Sequence, residues 1–178
     1  LQVNIGKRLL YSDVFKYVND NGIKGYIIIA NSDILFDNTL ENLLYSDIHL
    51  SKKMFAQLRY EYNPLDPSLS RLFGPRIDSQ DAWILHTNFM VAKKHEKMFD
   101  FNLGILGCDN KVMYLFMLLG YEVICHPAFI RTLHYHLSQN NKCFNHDRIY
   151  PIYFCLIELT SAIISFRYLG SVERPKGL

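Results

Sequence analysis

The sequence predicts an α/β domain with a mainly parallel central sheet flanked by helices, and three observations carry that expectation. First, Gly25-Tyr26-Ile27-Ile28-Ile29-Ala30 is a continuous apolar run that ends abruptly in Asn31-Ser32-Asp33. A run without polar alternation belongs to a strand covered on both faces, the usual pattern of a parallel strand. Second, short apolar runs alternate along the chain with helices that carry recognisable start signals. Third, Gly120 stands at the C′ position of a helix and leads at once into the strand-like Tyr121–Cys125.

The chain has 178 residues, 49% hydrophobic and 14% aromatic, enough apolar side chain for one ordinary core. A single domain is expected over 1–178, with its core in about 1–136 and an apolar helical segment over about 150–168. The net charge of +2 is scattered, with no basic stripe, so nucleic acid is not an expected partner. Cys108, Cys125, Cys143 and Cys155 lack CxxC spacing. Cys125 and Cys155 lie in apolar runs, which predicts buried thiols and a reducing, cytoplasmic setting. The chain begins with Leu1, and no charged-then-apolar leader precedes the domain, so an upstream part is expected to be missing.

Ser12-Asp13 with Val14, Phe15 and Val18 predicts a short helix to about Asn19. Asp37-Asn38 caps a second helix with Leu40, Leu43 and Leu44 on one side. Met54–Tyr60 alternates as a strand. Residues 61–78, with Pro64, Pro67, Pro75 and Gly74, read as a long irregular loop. Ala82–His86 is a further strand carrying Trp83, whose expected place is the core. Asp109-Asn110 opens a helix through Val112, Met113, Leu115, Phe116 and Leu119, and Phe129–His136 reads as a late strand. Gln139–Arg148 is polar. The run Ile152–Phe166, broken by Glu158, Thr160 and Ser161, is too short and polar for a membrane span and reads as a core or partner-facing helix.

Three features could do chemistry. Asn31-Ser32-Asp33 follows a strand, where α/β sheets keep their ligands. Gly107-Cys108-Asp109-Asn110 opens a helix, and His134-Tyr135-His136 ends a strand. Strand residues i and i+2 share a face, so Asn31 can point with Asp33 and His134 with His136. Carboxylate plus imidazole suits Mn²⁺, and carboxylate with water suits Mg²⁺. A carboxylate in the first turn of a helix stays ionised and fixed, which qualifies Asp109 as a general base. The same residues also serve without chemistry, Asn31–Asp33 as an Asx-type turn and Asp109 as the cap of its own helix.

The order of these pieces resembles the GT-A family of nucleotide-sugar glycosyltransferases, in particular small members from bacteria and large DNA viruses. The similarity runs from Arg8-Leu9-Leu10-Tyr11-Ser12-Asp13-Val14-Phe15 to about His136. Asn31-Ser32-Asp33 occupies the place of the family's DxD motif, which holds metal and sugar nucleotide. Gly107-Cys108-Asp109, the helix after it and Gly120-Tyr121-Glu122-Val123-Ile124 with Pro127 are similar to the acidic motif and the glycine–aromatic turn. His134 or His136 matches a late metal-binding histidine. Two positions depart from the pattern: Asn31 replaces the first acid, and Cys108 stands where a glutamate is usual. The resemblance implies a GT-A (Rossmann-like) sheet lacking its first strand, and metal-dependent, inverting transfer of a hexosyl or deoxyhexosyl group to a glycan or glycoconjugate hydroxyl. It implies Asp109 as base, Asn31, Ser32, Asp33 and Asp81 as donor-binding residues, and Asp33, His134 and His136 as ligands of Mn²⁺ or Mg²⁺.

Arg59 reads as a phosphate partner or as an exposed strand-end residue. The C-terminal apolar run is a candidate for self-association or contact with a membrane surface. Two competing readings use the same residues: a catalytically inactive glycan-binding or scaffold domain, and a metal-dependent phosphoesterase.

Overall fold

The computed structural model describes residues 3–74, 79–135, 149, 155–160 and 163–168, the last two stretches as backbone. Helix α1 spans Tyr11–Asp20. Asp13 caps it from the third helical position, where its carboxylate accepts the Leu10 N–H at 3.0 Å. Strands β1 (Tyr26–Ala30) and β2 (Ile34–Phe36) follow, joined by the Asn31-Ser32-Asp33 turn, which the Ile34 N–H closes onto the Asn31 carbonyl at 3.2 Å. Asp37 accepts the Thr39 N–H at 2.9 Å and starts a 3₁₀ helix over Asn38–Tyr45, where the pattern predicted an ordinary helix.

Next come β3 (Lys53–Glu61), β4 (Arg71–Leu72), β5 (Gln80–His86), α2 (Cys108–Leu118), β6 (Glu122–Cys125), β7 (Thr132–His134), β8 (Cys155–Thr160) and β9 (Ile163–Tyr168). The main path of the sheet runs β1-β5-β3-β6-β9-β8. β3 is long enough to serve two neighbourhoods. Its first half pairs with β5 and β6, and its last residues pair with β7 and β4, while β2 flanks β7 on the other side.

The expected mainly parallel, Rossmann-like sheet is overturned. Only the β3–β6 and β3–β7 pairings are parallel; the other described pairings are antiparallel, and few helices accompany this mixed sheet. β1 itself runs antiparallel to β5 and lies at the end of the path. The apolar run is covered only in part: Ile29 belongs to the core on one face and Tyr26 packs against the core on the other, but Ile28 is exposed. Strand direction is a separate property, set by pairing rather than by apolar composition.

The C-terminal expectation fails as well. The described parts of 152–166 are strands: β9 pairs antiparallel with β6 and with β8. The run is rich in Ile, Phe and Tyr and also satisfies a two-residue alternation, so β-propensity and pairing prevailed over the helical reading. Gln139–Arg148 lies outside the described residues.

On one face of the sheet, Tyr11 and Phe15 of α1 and Val112, Met113 and Phe116 of α2 pack with Met54, Leu58, Trp83 and Leu85. Trp83 is 1% exposed, as expected of a core residue. The opposite face holds Leu43, Ile48, Phe55, Ile84 and Ile130. Each large side chain withdrawn from water in this way contributes about 1.5–3 kcal/mol. Among the described residues, no helix is long and apolar enough to cross a membrane.

Candidate functional site

The polar residues gather around the end of β1, the end of β3 and the start of β5. Asp81 arrives there through an irregularity. β3 and β5 are in register at Gln57↔Ala82, but the next pair is Leu58↔Gln80, which leaves Asp81 as the extra residue of a β-bulge. Bulges re-aim a side chain out of the regular ladder. The Asp81 carbonyl accepts the Asn31 N–H at 3.1 Å, and its carboxylate accepts the Asn31 side-chain amide at 2.8 Å. Strand β1 and the bulge are thereby tied together at the Asn31 turn.

The other Asp81 carboxylate oxygen accepts Arg59 Nη1 at 2.7 Å. Arg59 also donates from Nε to Glu61 at 2.9 Å and from Nη1 to the Ser79 hydroxyl at 3.2 Å. Its guanidinium lies 4.2 Å from the centre of the Phe73 ring. Arg59 and Glu61 are two residues apart on β3 and share a face. Burial works against the Arg59 cation, yet Asp81 and Glu61 outweigh it and hold its pKa above the usual value. For Glu61, burial pushes the carboxyl upward, while hydrogen bonds from His134 and Arg59 bring it below the usual glutamate range.

Glu61 is the register partner of His134 on β7. Glu61 Oε2 lies 3.1 Å from His134 Nδ1, and Asp33 Oδ2 lies 3.1 Å from His134 Nε2. Asp33 reaches this place because β2 pairs with β7 at Ile34↔His134, and the Tyr135 N–H extends that ladder to the Asp33 carbonyl at 2.9 Å. The His134 side chain is 6% exposed and that of Asp33 38%, so the imidazole is a buried support and the carboxylate faces solvent. The polar chain runs from Asn31 through Asp81, Arg59, Glu61 and His134 to Asp33, and the β1–β2 turn closes it into a ring.

Asp109 approaches from α2. Its helix is entered through Gly107, which holds a left-handed φ of 84°, so Asp109 is a first-turn residue and the N-cap is Gly107. The Asp109 carboxylate accepts the Asn110 N–H at 2.9 Å. The Tyr11 hydroxyl, fully buried, donates to Cys108 Sγ at 3.7 Å. Burial pushes its pKa well above the usual tyrosine value, aided by Cys108, Asp109 and Asp81, so both carboxylates act on the same hydroxyl. The loop leading into α2 also touches the ring: a Cβ on Gly104 would stand 3.5 Å from Asn31 Oδ1 and 3.8 Å from Arg8 Nη2.

The structure therefore gathers Asn31, Asp33, Asp81 and His134 in one network, while Asp109 stands in the first turn of α2 next to Cys108. Ser32 is exposed at the tip of the turn, and His136 lies outside the described residues. Arg59, expected at a phosphate or as an exposed strand end, binds carboxylates instead. Glu61, expected at the start of the long loop, is the last residue of β3. The signal available was a charged i, i+2 pair closing an otherwise apolar strand.

Among the described residues, no group of three or more His, Cys, Asp and Glu side chains could hold a metal ion. The Asp33–His134 pair can supply two ligands: donors about 2.1 Å from an octahedral cation and at right angles stand about 3.0 Å apart. The observed oxygen–nitrogen distance is 3.1 Å. Such a pair would need phosphate or water oxygens to complete the sphere, since two protein ligands alone do not make a site. No protein-family model, curated protein or solved structure matches the chain.

Proposed function

We propose that the chain is a metal-dependent, inverting glycosyltransferase that moves a sugar from a nucleotide-sugar donor to a hydroxyl of a glycan or glycoconjugate. The observation that carries the reading is the meeting of Asp33 and His134, 101 residues apart, at 3.1 Å beside the Asn31–Asp81 pair. Their order is similar to that of the glycosyltransferase motifs the sequence resembles, with Asn31 in place of the first acid and Cys108 in place of a glutamate. The mixed sheet lends the reading no weight, and it rests on the side chains alone.

Asp33 and His134 would hold Mn²⁺ or Mg²⁺, which, when bound, neutralises the charge developing on a departing nucleoside diphosphate. Asn31 offers its amide oxygen toward the Gly104 loop, where a donor hydroxyl can reach it. Asp81, held by Asn31 and Arg59, retains lone pairs for further hydroxyls. Asp109 takes the proton of the acceptor hydroxyl as the acceptor oxygen bonds to the anomeric carbon. The nucleoside diphosphate leaves with the electron pair of the broken bond. Asp109 stands in the first turn of α2, where its carboxylate accepts the Asn110 N–H.

The engagement of both His134 nitrogens and both Asp81 oxygens inside the protein favours one other reading, a catalytically inactive glycan-binding or scaffold domain. A panel of nucleotide sugars with Mn²⁺, scored for nucleoside diphosphate release, separates the two. Turnover with one donor is expected, and Asp109→Ala should retain less than about a hundredth of it, since a positioned base contributes roughly 10²–10⁴-fold. Glycan binding without release from any donor would replace this proposal with the binding domain. Phosphate release from simple esters would indicate a phosphoesterase.

A further inference from the structure

We propose that His49 and His86 form an acid-opened latch, in which a proton on His86 frees the turn Thr87–Phe89 from the turn that precedes β3. The pair lies at the far end of β5 from Asp81 and is independent of the reading of the polar ring.

His86 ends β5 and caps the 3₁₀ turn Thr87–Phe89. Its Nδ1 lies 3.2 Å from the Asn88 backbone nitrogen and accepts that N–H. A backbone amide can only donate, so Nδ1 carries the lone pair and the proton of the neutral ring is on Nε2. A second proton on the ring would set donor against donor and end the cap. Asn88 passes the contact on, because its side-chain amide donates to the His49 carbonyl at 2.9 Å. Thr87 anchors the same turn to the start of β1. Its N–H donates to the Gly25 carbonyl and its hydroxyl accepts the Gly25 N–H, both at 2.9 Å. The latch thus joins the turn before β3 to the strand that ends at Asn31.

Two rings pack on His86, Tyr26 of β1 at 4.9 Å and His49 at 6.0 Å between centres, and neither is a carboxylate. Positive charge on both imidazoles at that separation is repulsive. His49 Nδ1 is buried with no hydrogen-bond partner among the described residues, so a proton placed there meets no acceptor. Asp47 acts on His49 from the same turn, but its charge is already matched by Lys53 at 2.7 Å, which also faces Glu122 at 3.7 Å. Burial, and then the neighbouring His49, hold the His86 pKa below the usual histidine value. The cap therefore contributes fully above the unfolded value of about 6.5, and its contribution is lost as pH falls through the lower folded value.

The test follows the full chain by NMR from about pH 7.5 to about 5, across the histidine range. It reads the His86 ring protons, assigned by their absence in His86→Asn, and the hydrogen-exchange protection of the Asn88 amide. The His86 midpoint should lie below about 6.5. The Asn88 amide should lose protection over the same range, its uncapped fraction rising about tenfold per pH unit down to that midpoint. Asparagine also caps such a turn and does not titrate there, so His86→Asn should keep Asn88 protected throughout. His49→Gln, which leaves His86 in place, should raise the His86 midpoint and move the loss of protection to higher pH. A His86 midpoint at or above about 6.5 overturns the proposal. So does an Asn88 amide whose protection ignores that midpoint, or the same pH dependence in His86→Asn. If His86→Asn folds poorly, an unmoved His86 midpoint in His49→Gln overturns it instead.

Discussion

Arg59 and Glu61 carry the organisation of the polar ring, because each binds two partners from different strands. The acid limb of the stability profile provides a check on Glu61. Burial raises its carboxyl pKa, but His134 and Arg59 lower it further, so the folded value lies below the unfolded one. That contribution is fully present above the ordinary glutamate value of about 4.3 and is lost as pH falls through the lower folded value. Thermal unfolding followed from neutral pH downward should therefore show a shallower acid decline in Glu61→Gln than in the wild type. An identical decline in both would mean that the Glu61 contacts add nothing to the folded state. At this scale the sequence was informative wherever a polar residue closes an apolar run, as at Asn31, Asp33 and His134. It misplaced Arg59 and gave Glu61 no role, because their partners are set by a parallel register with β7, 73 residues away, and by a bulge that no local pattern announces.

Among the elements, α2 places Asp109, and its starting geometry depends on Gly107. That residue has φ 84°, and a Cβ there would collide with the Ile149 carbonyl. The Ile149 N–H donates to the Leu106 carbonyl at 2.9 Å, so the obstacle is anchored backbone. Gly107→Ala should cost at least about 1–2 kcal/mol from the left-handed conformation alone, a fall of several degrees in a melting curve. An unchanged melting temperature would show that this helix start tolerates a side chain. Helix starts, glycine stops and the short strands were legible because their signals are local. The C-terminal run was not: its apolar residues fit both periods, and pairing with β6 decided between them. Likewise Asp37 announced a helix start without revealing that the turns after it would be 3₁₀.

Across the whole molecule, burial was predictable in part, since Ile28 and Leu44 are exposed, and strand direction was not predictable. Ile29, Trp83 and Val112 lie in the core that their apolar runs imply. The sheet that joins them is mixed and mostly antiparallel, because strand order arises from long-range pairing such as β1 with β5 and β3 with β6. The long β3 links the two neighbourhoods: its first half supports the core, and its last residues carry Arg59 and Glu61 out to meet β7. The functional account therefore depends on what the end of β3 gathers around His134. Titration of Mn²⁺ in the presence of a nucleoside diphosphate, on the wild type and on Asp33→Asn, tests that account most directly. One saturable site in the wild type, weakened at least about tenfold in Asp33→Asn, is the expected result. Equal binding in the two proteins, or no saturable binding in the wild type, would contradict the assignment of Asp33 and His134 as the place where a cation meets its substrate.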